Sequence, residues 1–430
     1  MAEAEKSSWT ATETEAGGRP PAAPAVAGRP ALVEPDLTFI HTLSRRIGQN
    51  YKKCMQCGTC AATCSLSPDS ASFPRKEVIW AAWGWKDRLV RDPDVWLCYQ
   101  CNDCSTRCPR SAHPGDLLAA VRHESIIHFA RPRFLARWVN DIRYIPLLLA
   151  IPALLLGLAL RLRDPLAAAL GITERADDRI VYAYSSHFPH WLINGLFLIC
   201  AALVLVGAVF SVACFWRSMK AALERDVGAT PVQGVWPSLV ATLRNVFTHD
   251  NFSVCTTAHI RYLSHPFIFY GFLALTVVTL WVIAAGINPL IRGEFIYPFS
   301  FWSPWKILAN LGGLSVFAGC VLTIRERLFG TAYNTAGNYY DWSFLVTLIL
   351  VALTGFVTEV LHYFRMEPHR HVVYFVHLIF VFALLVYMPY SKFAHVIYRT
   401  TALVLAESFG RKRGAPPLAE AVAEEGGDAS

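Results

Sequence analysis

Apolar residues gather into six long runs in the C-terminal two-thirds of the chain. Runs of this kind are long enough to cross the hydrocarbon core of a bilayer as α-helices, which takes about 20 residues each. A helix also satisfies its backbone hydrogen bonds within one segment. The pattern therefore predicts six transmembrane helices, which we place at Tyr144–Leu160, Phe188–Trp216, Pro266–Ile291, Pro304–Ile324, Trp342–Phe364 and His371–Val396.

The residues before the first apolar run are more polar and divide into two parts. Residues 1–35 are rich in Ala, Pro, Gly, Glu and Thr and contain no apolar run, so they predict a disordered tail. Residues 36–140 carry eight of the 12 cysteines, and apolar residues between these cysteines recur at helical spacing. We expect an all-α protein with a small helical domain at 36–140, a membrane domain at 141–400 and a tail at 401–430.

Composition and charge agree with a membrane protein. Hydrophobic residues make up 54% of the chain and charged residues 17%, whereas soluble domains carry about 25% charged residues. The formal net charge of +7 is spread along the chain, so no nucleic-acid partner is expected.

No secretory signal precedes the cysteines, and more basic residues lie in the loops on the N-terminal side of the six spans than on the opposite side. We therefore expect both termini in the cytoplasm of a bacterial or archaeal cell, with the protein in its inner membrane.

The eight clustered cysteines form two ladders with the same spacing, C-x2-C-x2-C-x3-C. Three closely spaced thiolates bind one [4Fe-4S] cluster, and the fourth reaches the neighbouring cluster. Structural zinc is the alternative, but zinc sites usually pair two CxxC units. The spacing therefore predicts two clusters that carry single electrons, the first held by Cys54, Cys57, Cys60 and Cys108 and the second by Cys98, Cys101, Cys104 and Cys64.

Histidines in the apolar runs are candidate haem ligands. His377 and His395 are 18 residues apart, which is five turns and about 27 Å of one continuous helix. His190 opens the second run on the outer side, and His265 opens the third on the inner side. We predict two haems b with paired histidine ligands, His190 with His377 for the outer haem and His265 with His395 for the inner one.

Other histidines near the ends of the runs compete for these roles, and spacing does not separate the two pairings from a swapped arrangement. We assign the competitors to solvated loops: His187, His249, His259, His362, His369 and His371.

Glu359 is the one carboxylate well inside a predicted span. It has two interpretations, a proton relay for a quinol that reacts near the outer haem and a carboxylate that hydrogen-bonds to a neighbouring helix. We expect Lys306 to extend outward to the membrane surface.

The combination of both halves in one chain resembles a known family. The cysteine ladders, together with RYLSHPFIFYGF and YFVHLIFVFALLVYMPYSKFAHVIYRT, resemble the C subunit of the quinone-interacting membrane-bound oxidoreductase. That protein is itself similar to a fusion of the C and E subunits of heterodisulfide reductase. The membrane half is more distantly similar to the haem b subunit of respiratory nitrate reductase. Ser65 stands where the stricter ladder has proline.

The resemblance implies a helical-ferredoxin-like domain followed by a haem b bundle. It also implies cytoplasmic flavin- and cluster-bearing partner subunits, with electrons exchanged between menaquinone or ubiquinone and adenylylsulfate reductase. We therefore predict an electron-transfer subunit of a quinone-dependent oxidoreductase that is not active alone. The rival interpretations are a heterodisulfide-reductase-like or other quinone-linked dehydrogenase module and, in another class, a non-catalytic membrane anchor.

Overall fold

The computed structural model describes residues 34–68, 72–172, 184, 187–249, 259–287, 300–330 and 339–411. These residues form helices and turns, and no β-strand occurs among them. The described residues from Pro35 onward belong to one compact unit. The predicted tail at 1–35 lies outside the described residues except for its last two, and so does 412–430 of the predicted C-terminal tail.

Eight helices form the N-terminal domain in the part of the chain that the structure describes. Asp36 caps the first of them, because its carboxylate accepts a hydrogen bond from the Phe39 amide at 2.9 Å. Helix α7 lies in the middle of the domain, with Leu117, Leu118 and Val121 fully buried. The helices are α1 Leu37–Ile47, α2 Thr59–Thr63, α3 Arg75–Ala82, α4 Lys86–Arg91, α5 Asp94–Leu97, α6 Asp103–Thr106, α7 Pro114–Phe129 and α8 Arg133–Val139.

Nine further helices follow among the described residues. They are α9 Ile145–Arg161, α10 Arg163–Ala169, α11 His190–Asp226, α12 Val235–Thr248, α13 His259–Ile287, α14 Pro304–Phe329, α15 Tyr339–Tyr363, α16 His369–Val386 and α17 His395–Ser408. Six helices in the described ranges are long and apolar enough to cross a membrane, namely α9, α11, α13, α14, α15 and α16. The predicted all-α fold with six spans is confirmed.

Successive spans run in opposite directions, which gives the bundle two ends. The end of α11 and the beginning of α15 pack with the N-terminal domain, and we call this end of the bundle the ladder face. The beginnings of α11 and α16 lie at the opposite end, the far face. Large apolar side chains on the sides of the bundle, such as Leu154 and Leu203, are 70% exposed or more and fit contact with lipid tails.

Glycines allow α13 and α14 to pack closely. A Cβ atom at Gly271 would lie 2.7 Å from the Gly312 carbonyl oxygen, and one at Gly319 would lie 2.8 Å from the Ser264 carbonyl oxygen. Small residues at such positions let two membrane helices pack backbone against backbone. This contact fixes the beginning of α13, where His265 lies, against α14.

The last predicted span differs from the structure. Helix α16 ends at Val386, two short 3-10 turns follow at Met388–Tyr390 and Lys392–Ala394, and α17 begins at His395. Pro389 has no amide hydrogen, and its ring clashes with the preceding helical turn, so a continuous helix is not stable there. His377 and His395 therefore lie on different helices, and the expectation that one helix face carries both is wrong.

The N-terminal domain does not fold around a core of its own. Helix α11 has 37 residues and is about 55 Å long, so it extends well beyond a bilayer core. Its last turns bury Phe215 and Met219 in the same cluster as Trp96, and Tyr398 of α17 stacks on Trp96 with ring centroids 6.0 Å apart. Helix α17 continues through residue 400, where the sequence suggests a domain boundary.

Candidate metal centres

The eight ladder cysteines line two separate cavities. The first cavity is lined by Cys54, Cys57, Cys60 and Cys108. The second cavity is lined by Cys64, Cys98, Cys101 and Cys104. The last cysteine of each ladder thus lines the cavity of the other ladder, which is the crossed arrangement that the spacing predicts. All eight are free thiols.

The backbone repeats the same turns in both ladders. Gln56 and Gln100 have φ angles of 58° and 55°, and Gly58 and Asn102 two residues later have 83° and 68°. Residues other than glycine rarely adopt positive φ angles, and here these angles turn the backbone around the thiols. The Gln56 amide donates to Cys54 Sγ at 3.4 Å, and the Gln100 amide donates to Cys98 Sγ at 3.2 Å. Hydrogen bonds of this kind tune the potential of a cluster held by the sulfurs.

Burial differs between the cavities and changes the acidity of the thiols. Cys57 of the first cavity is exposed, and a hydrogen bond with Thr59 lowers the pKa of its thiol. Burial raises the pKa of Cys60 to about 11 and that of Cys64 to about 12. These two thiols are therefore protonated at neutral pH, and a bound metal ion must displace the protons. Four convergent thiols per cavity are a donor set that fits an iron–sulfur cluster.

His395 begins α17, and its hydrogen bond fixes the position of its ring proton. Nδ1 lies 2.7 Å from the Lys392 carbonyl oxygen, which can only accept, so Nδ1 carries the proton and Nε2 carries the lone pair. Burial lowers the pKa of His395 to about 4, which keeps the ring neutral. Metal-binding histidines typically donate their other ring N–H to a carbonyl or a carboxylate in this way.

His265 on α13 has the same tautomer, which is set by His249. Nδ1 of His249 lies 3.3 Å from the Phe247 carbonyl oxygen and must donate to it, so Nε2 of His249 is an acceptor. That Nε2 lies 3.0 Å from Nδ1 of His265, which therefore donates, and the lone pair of His265 is on Nε2. His249 is only 6% exposed, so its assignment to a solvated loop is wrong.

The structure brings His265 and His395 into one region at the ladder face. Phe272, which lies two helical turns after His265 on the same face of α13, contacts Phe393 with ring centroids 4.9 Å apart. Phe393 lies two residues before His395. The two histidines of the predicted inner pair thus lie on two helices that are distant in sequence and that approach each other at the ladder face.

His377 also has its lone pair on Nε2. Its Nδ1 lies 2.9 Å from Thr354 Oγ1, and that hydroxyl already donates to the Leu350 carbonyl oxygen at 2.6 Å, so the hydroxyl accepts from Nδ1. His377 therefore lies on the side of α16 that contacts α15. His190, its predicted partner, is exposed at the beginning of α11, whose next turns pack with Leu378 of α16. The structure does not place these two imidazoles together in the part of the chain that it describes.

Other histidines gather at the far face. The rings of His187 and His371 have centroids 4.0 Å apart, and Tyr184 lies next to both His362 and His371. His362 and His371 are half-buried, so their assignment to solvated loops is wrong, whereas His369 is exposed as expected. The side chain of His259 lies outside the described part of the structure.

Glu359 is held by the neighbouring helix α14. Asn310 Nδ2 donates to one carboxylate oxygen at 3.1 Å, and Lys306 Nζ lies 3.2 Å from the other. These contacts agree with the interpretation of Glu359 as a carboxylate that hydrogen-bonds to a neighbouring helix. Lys306 lies in the first turn of α14, and its ammonium pairs with this carboxylate, a partner that the sequence did not predict.

Sequence comparison gives two family matches. The family described as "Citrate utilization protein B" matches residues 148–416, which is more than half of the chain. A 4Fe-4S dicluster domain family matches residues 50–112, the segment that contains both ladders. Iron–sulfur binding by residues of this segment is thereby supported, in agreement with the two four-thiol cavities. No solved structure gives a significant match.

Individual relatives match either most of the chain or a shorter part of it. The chain is 27% identical over 339 residues to citrate utilization protein B of Escherichia coli, covering 74% of this chain and 82% of the relative. It is 31% identical over 90 residues to the C subunit of the H(2):CoB-CoM heterodisulfide,ferredoxin reductase of Methanothermobacter marburgensis, covering 21% of this chain and about half (49%) of that relative.

A second heterodisulfide reductase subunit is also similar to part of this chain. Residues of this chain are 24% identical over 153 residues to the E subunit of the dihydromethanophenazine:CoB--CoM heterodisulfide reductase of Methanosarcina thermophila, covering 34% of this chain and 58% of the relative. The resemblance to the C and E subunits of heterodisulfide reductase is confirmed. The similarity to citrate utilization protein B was not predicted. Together these matches support a multi-pass membrane protein with an iron–sulfur electron-transfer role in an oxidoreductase complex.

Proposed function

The chain belongs to the citrate utilization protein B family, and we propose that it carries electrons between a membrane quinone and a soluble redox partner through two [4Fe-4S] clusters and two haems b. One cluster would be held by Cys54, Cys57, Cys60 and Cys108 and the other by Cys64, Cys98, Cys101 and Cys104. Such groups accept and release single electrons when bound. The protein's own residues hold them in order.

One observation carries this proposal, namely the contact that joins the second cavity to the predicted inner haem ligand. Tyr99 follows Cys98 in the chain, and the guanidinium of Arg399 lies 3.8 Å from the centroid of its ring. Arg399 is one helical turn after His395 on α17. Tyr99 and Arg399 therefore form a packed connection between the thiols of the second cavity and the imidazole of His395, whose lone pair is on Nε2.

The first cavity provides the contact with the soluble partner. Cys57 and Met55 are exposed there. Two exposed cations, Arg75 and Arg110, line the same cavity. Three more exposed cations stand within two residues of its cysteines in the chain, namely Lys52, Lys53 and Arg107. We propose that an acidic face of a flavin- or cluster-bearing subunit docks on this basic rim, because complementary charge speeds the encounter of redox proteins.

His265 and His395 would hold the inner haem, and the hydrogen bonds to His249 and Lys392 orient the two rings for it. His377 would hold the outer haem, with His190 as its predicted partner. His187 and His371, which lie close together at the far face, are the competing residues. The Thr354 hydroxyl fixes the ring of His377 in the same way as the Lys392 carbonyl fixes that of His395.

Menaquinone or ubiquinone would react near the far face. Glu359 is proposed to relay protons there, because its carboxylate accepts from Asn310 and pairs with Lys306 at the far-face ends of α14 and α15. The excess of basic residues in the loops of the ladder face supports both termini being cytoplasmic.

The soluble partner has two candidates. The resemblance to the quinone-interacting oxidoreductase favours a complex linked to adenylylsulfate reductase. The longer match to a relative named for citrate utilization favours an oxidoreductase of carboxylate metabolism. Copurification with the tagged full-length chain, followed by identification of the bound subunits, distinguishes the two.

The test of the proposal is a reduced-minus-oxidised spectrum of the purified chain, together with iron, sulfide and haem contents. We expect haem b bands and about eight non-haem irons per chain, as two four-iron clusters require. His265→Ala and His395→Ala should each remove the same haem, whereas His377→Ala should remove the other. His41→Ala is the control, because His41 is an exposed histidine on α1 that lines neither of the two cysteine cavities. A chain without haem bands supports the non-catalytic anchor instead.

A further inference from the structure

A third cavity lies between the N-terminal domain and the ladder face of the bundle. It is lined by residues from both, among them Gln100 next to the thiols of the second cavity and the predicted haem ligand His395. We call it the interface cavity. Whatever occupies it lies between the second cluster site and the inner haem site.

The lining of the interface cavity is cationic. Among the described residues, four basic side chains and two carboxylates line it, and the basic ones are Arg46, Arg122, Arg327 and Lys392. Asp341, one of the two carboxylates, already pairs with Lys392. Burial lowers the pKa of His123, which also lines the cavity, so this ring adds no charge at neutral pH. Arg46 pairs with Glu124 at 2.8 Å just behind the lining. With this carboxylate counted, four cations face three carboxylates, so the lining keeps a net positive charge and favours an anionic occupant.

Two buried hydrogen-bond donors line the same cavity without a partner. Trp96 is 1% exposed and Tyr340 is 8% exposed. Neither Nε1 of Trp96 nor the Tyr340 hydroxyl has a hydrogen-bond partner among the described residues. A buried polar group without a partner destabilises the fold, so native structures usually provide one. The missing partner is an acceptor.

We propose that the interface cavity binds a pair of carboxylates, the two propionate arms of the haem that His395 would hold. This inference rests on the proposed function, since it requires a haem at His395. The net positive charge of the lining favours carboxylates, whereas the neutral carbonyls of a quinone would need only the donors. The Tyr340 hydroxyl and Trp96 Nε1 donate to these oxygens. Arg122 and Lys392 supply positive charge, and Lys392 shares its charge with Asp341.

The same chemistry could come from a second source, a free di- or tricarboxylate that enters from the solvent. The position of the cavity favours the propionates, because His395 itself forms part of its lining and Lys392 lies three residues before it. The experiment below distinguishes the two sources.

The test is a spectroelectrochemical redox titration of the purified full-length chain at one pH. Tyr340→Phe removes the hydroxyl but keeps the ring that stacks on His123, with centroids 3.6 Å apart. We expect the midpoint potential of one haem to move to a more negative value while the other stays in place, because carboxylate charge that is less well compensated disfavours the reduced haem. Lys392→Met should move the same haem further in the same direction.

Lys220→Met is the matched control, since Lys220 is an exposed lysine at the ladder-face end of α11 that pairs with Glu224 at 3.6 Å. It should leave both potentials unchanged. Tyr340→Phe also keeps the test informative if Lys392→Met does not fold.

Two results would overturn the inference while the proposed function stands. One is full haem content in Tyr340→Phe with both potentials unchanged. The other is protection of the haem-loaded wild-type chain against thermal unfolding by citrate, with that protection lost in Tyr340→Phe, which would assign the cavity to a free carboxylate. Absence of haem b from the wild-type chain overturns both proposals.

Discussion

The two cysteine cavities have the same ligand spacing and opposite surroundings. In the first, Cys57 is exposed, Met55 is 56% exposed, and exposed cations lie around the rim. In the second, Cys98 and Cys104 are 8% and 7% exposed. The difference shows that spacing determines which thiols share a cavity, whereas the surroundings decide which cavity contacts solvent and which contacts the membrane helices.

The surroundings of the second cavity also belong to the shared core. Arg122 of α7 donates to the Val95 and Cys98 carbonyl oxygens at 2.9 and 3.1 Å. Trp96, two residues before Cys98, packs with Phe215 of α11 and Tyr398 of α17. A change near the second cavity should therefore affect stability and electron transfer together, while a change near the first should affect electron transfer or docking with little effect on stability.

The largest effect is expected from removing one thiol of each cavity. Cys104→Ser places a hydroxyl in a buried site and removes a ligand of the second cluster, so we expect loss of about half of the non-haem iron and a low yield of folded protein. Cys57→Ser should lose iron from the first cluster and still fold. Iron content and thermal unfolding in detergent measure both quantities.

Cys214→Ser is the control for that pair, because this half-buried thiol on α11 lies outside both cavities. Equal losses of folded protein in Cys104→Ser and Cys57→Ser would contradict the difference in burial that separates the two sites.

The next effect concerns the ion pair between the end of α17 and α5. Arg411 Nε donates to Asp94 Oδ1 at 2.7 Å, and both side chains are buried. Arg411→Met leaves the Asp94 carboxylate without this partner, and we expect the free energy of unfolding to fall by about 3–5 kcal/mol. Arg75→Met at the exposed first cavity should cost less than about 1 kcal/mol. Chemical denaturation in detergent measures both, and similar costs would refute the contrast.

A smaller effect is expected from the basic rim of the first cavity. The double variant Lys53→Glu with Arg75→Glu should slow electron exchange with an acidic partner subunit about tenfold at low salt, because charge complementarity sets the encounter rate. The difference from the wild-type chain should shrink as salt rises. Lys220→Glu, away from the rim, is the control. A binding defect toward anionic lipid vesicles with an unchanged partner rate would assign the rim to the membrane surface.

The last effect concerns pH and the buried acids beside α5. Lys76 pairs with Glu77, Asp92 and Asp94 at 2.6–2.7 Å, and Arg411 also pairs with Asp94, so three carboxylates face two cations. Burial, together with the neighbouring carboxylates, raises the pKa of Glu77 to about 8. The folded chain therefore favours protonated Glu77, and its stability should fall as pH rises from about 4.5 through 8.

Glu77→Gln mimics the protonated form, so it should flatten this dependence in unfolding curves measured at several pH values. Asp94 titrates in the opposite sense. Burial alone would raise the pKa of Asp94, but Lys76 and Arg411 outweigh it and lower the value to about 2, so the stability it contributes is lost only as pH falls from about 4 toward 2. If the stability of Glu77→Gln changes with pH between 5 and 8 as much as that of the wild-type chain, the raised pKa of Glu77 is contradicted.

Local features of this chain could be predicted from sequence because they repeat within a few residues. The apolar runs gave the six spans, and the ladder spacing gave the two sets of four cysteines that share cavities. The placement of His265 and His395 at the same end of the bundle could also be predicted, although for His395 the reasoning assumed a straight helix that Pro389 interrupts. His249 was missed, and its position directly after an amphipathic helix in an inner loop gave no signal that it contacts His265.

The sequence alone determined the membrane class, the cysteine sets and the histidine candidates, since each depends on residue type and short spacing. Only the tertiary structure decided which cavity is exposed, that Lys306 pairs with Glu359, that His123 has both ring nitrogens occupied, and that Trp96 and Tyr340 meet at the interface cavity. These facts depend on contacts between residues that lie up to about 250 positions apart. Long-range packing of that kind provides partners for buried polar groups and fills space across the whole molecule. No local sequence pattern encodes it.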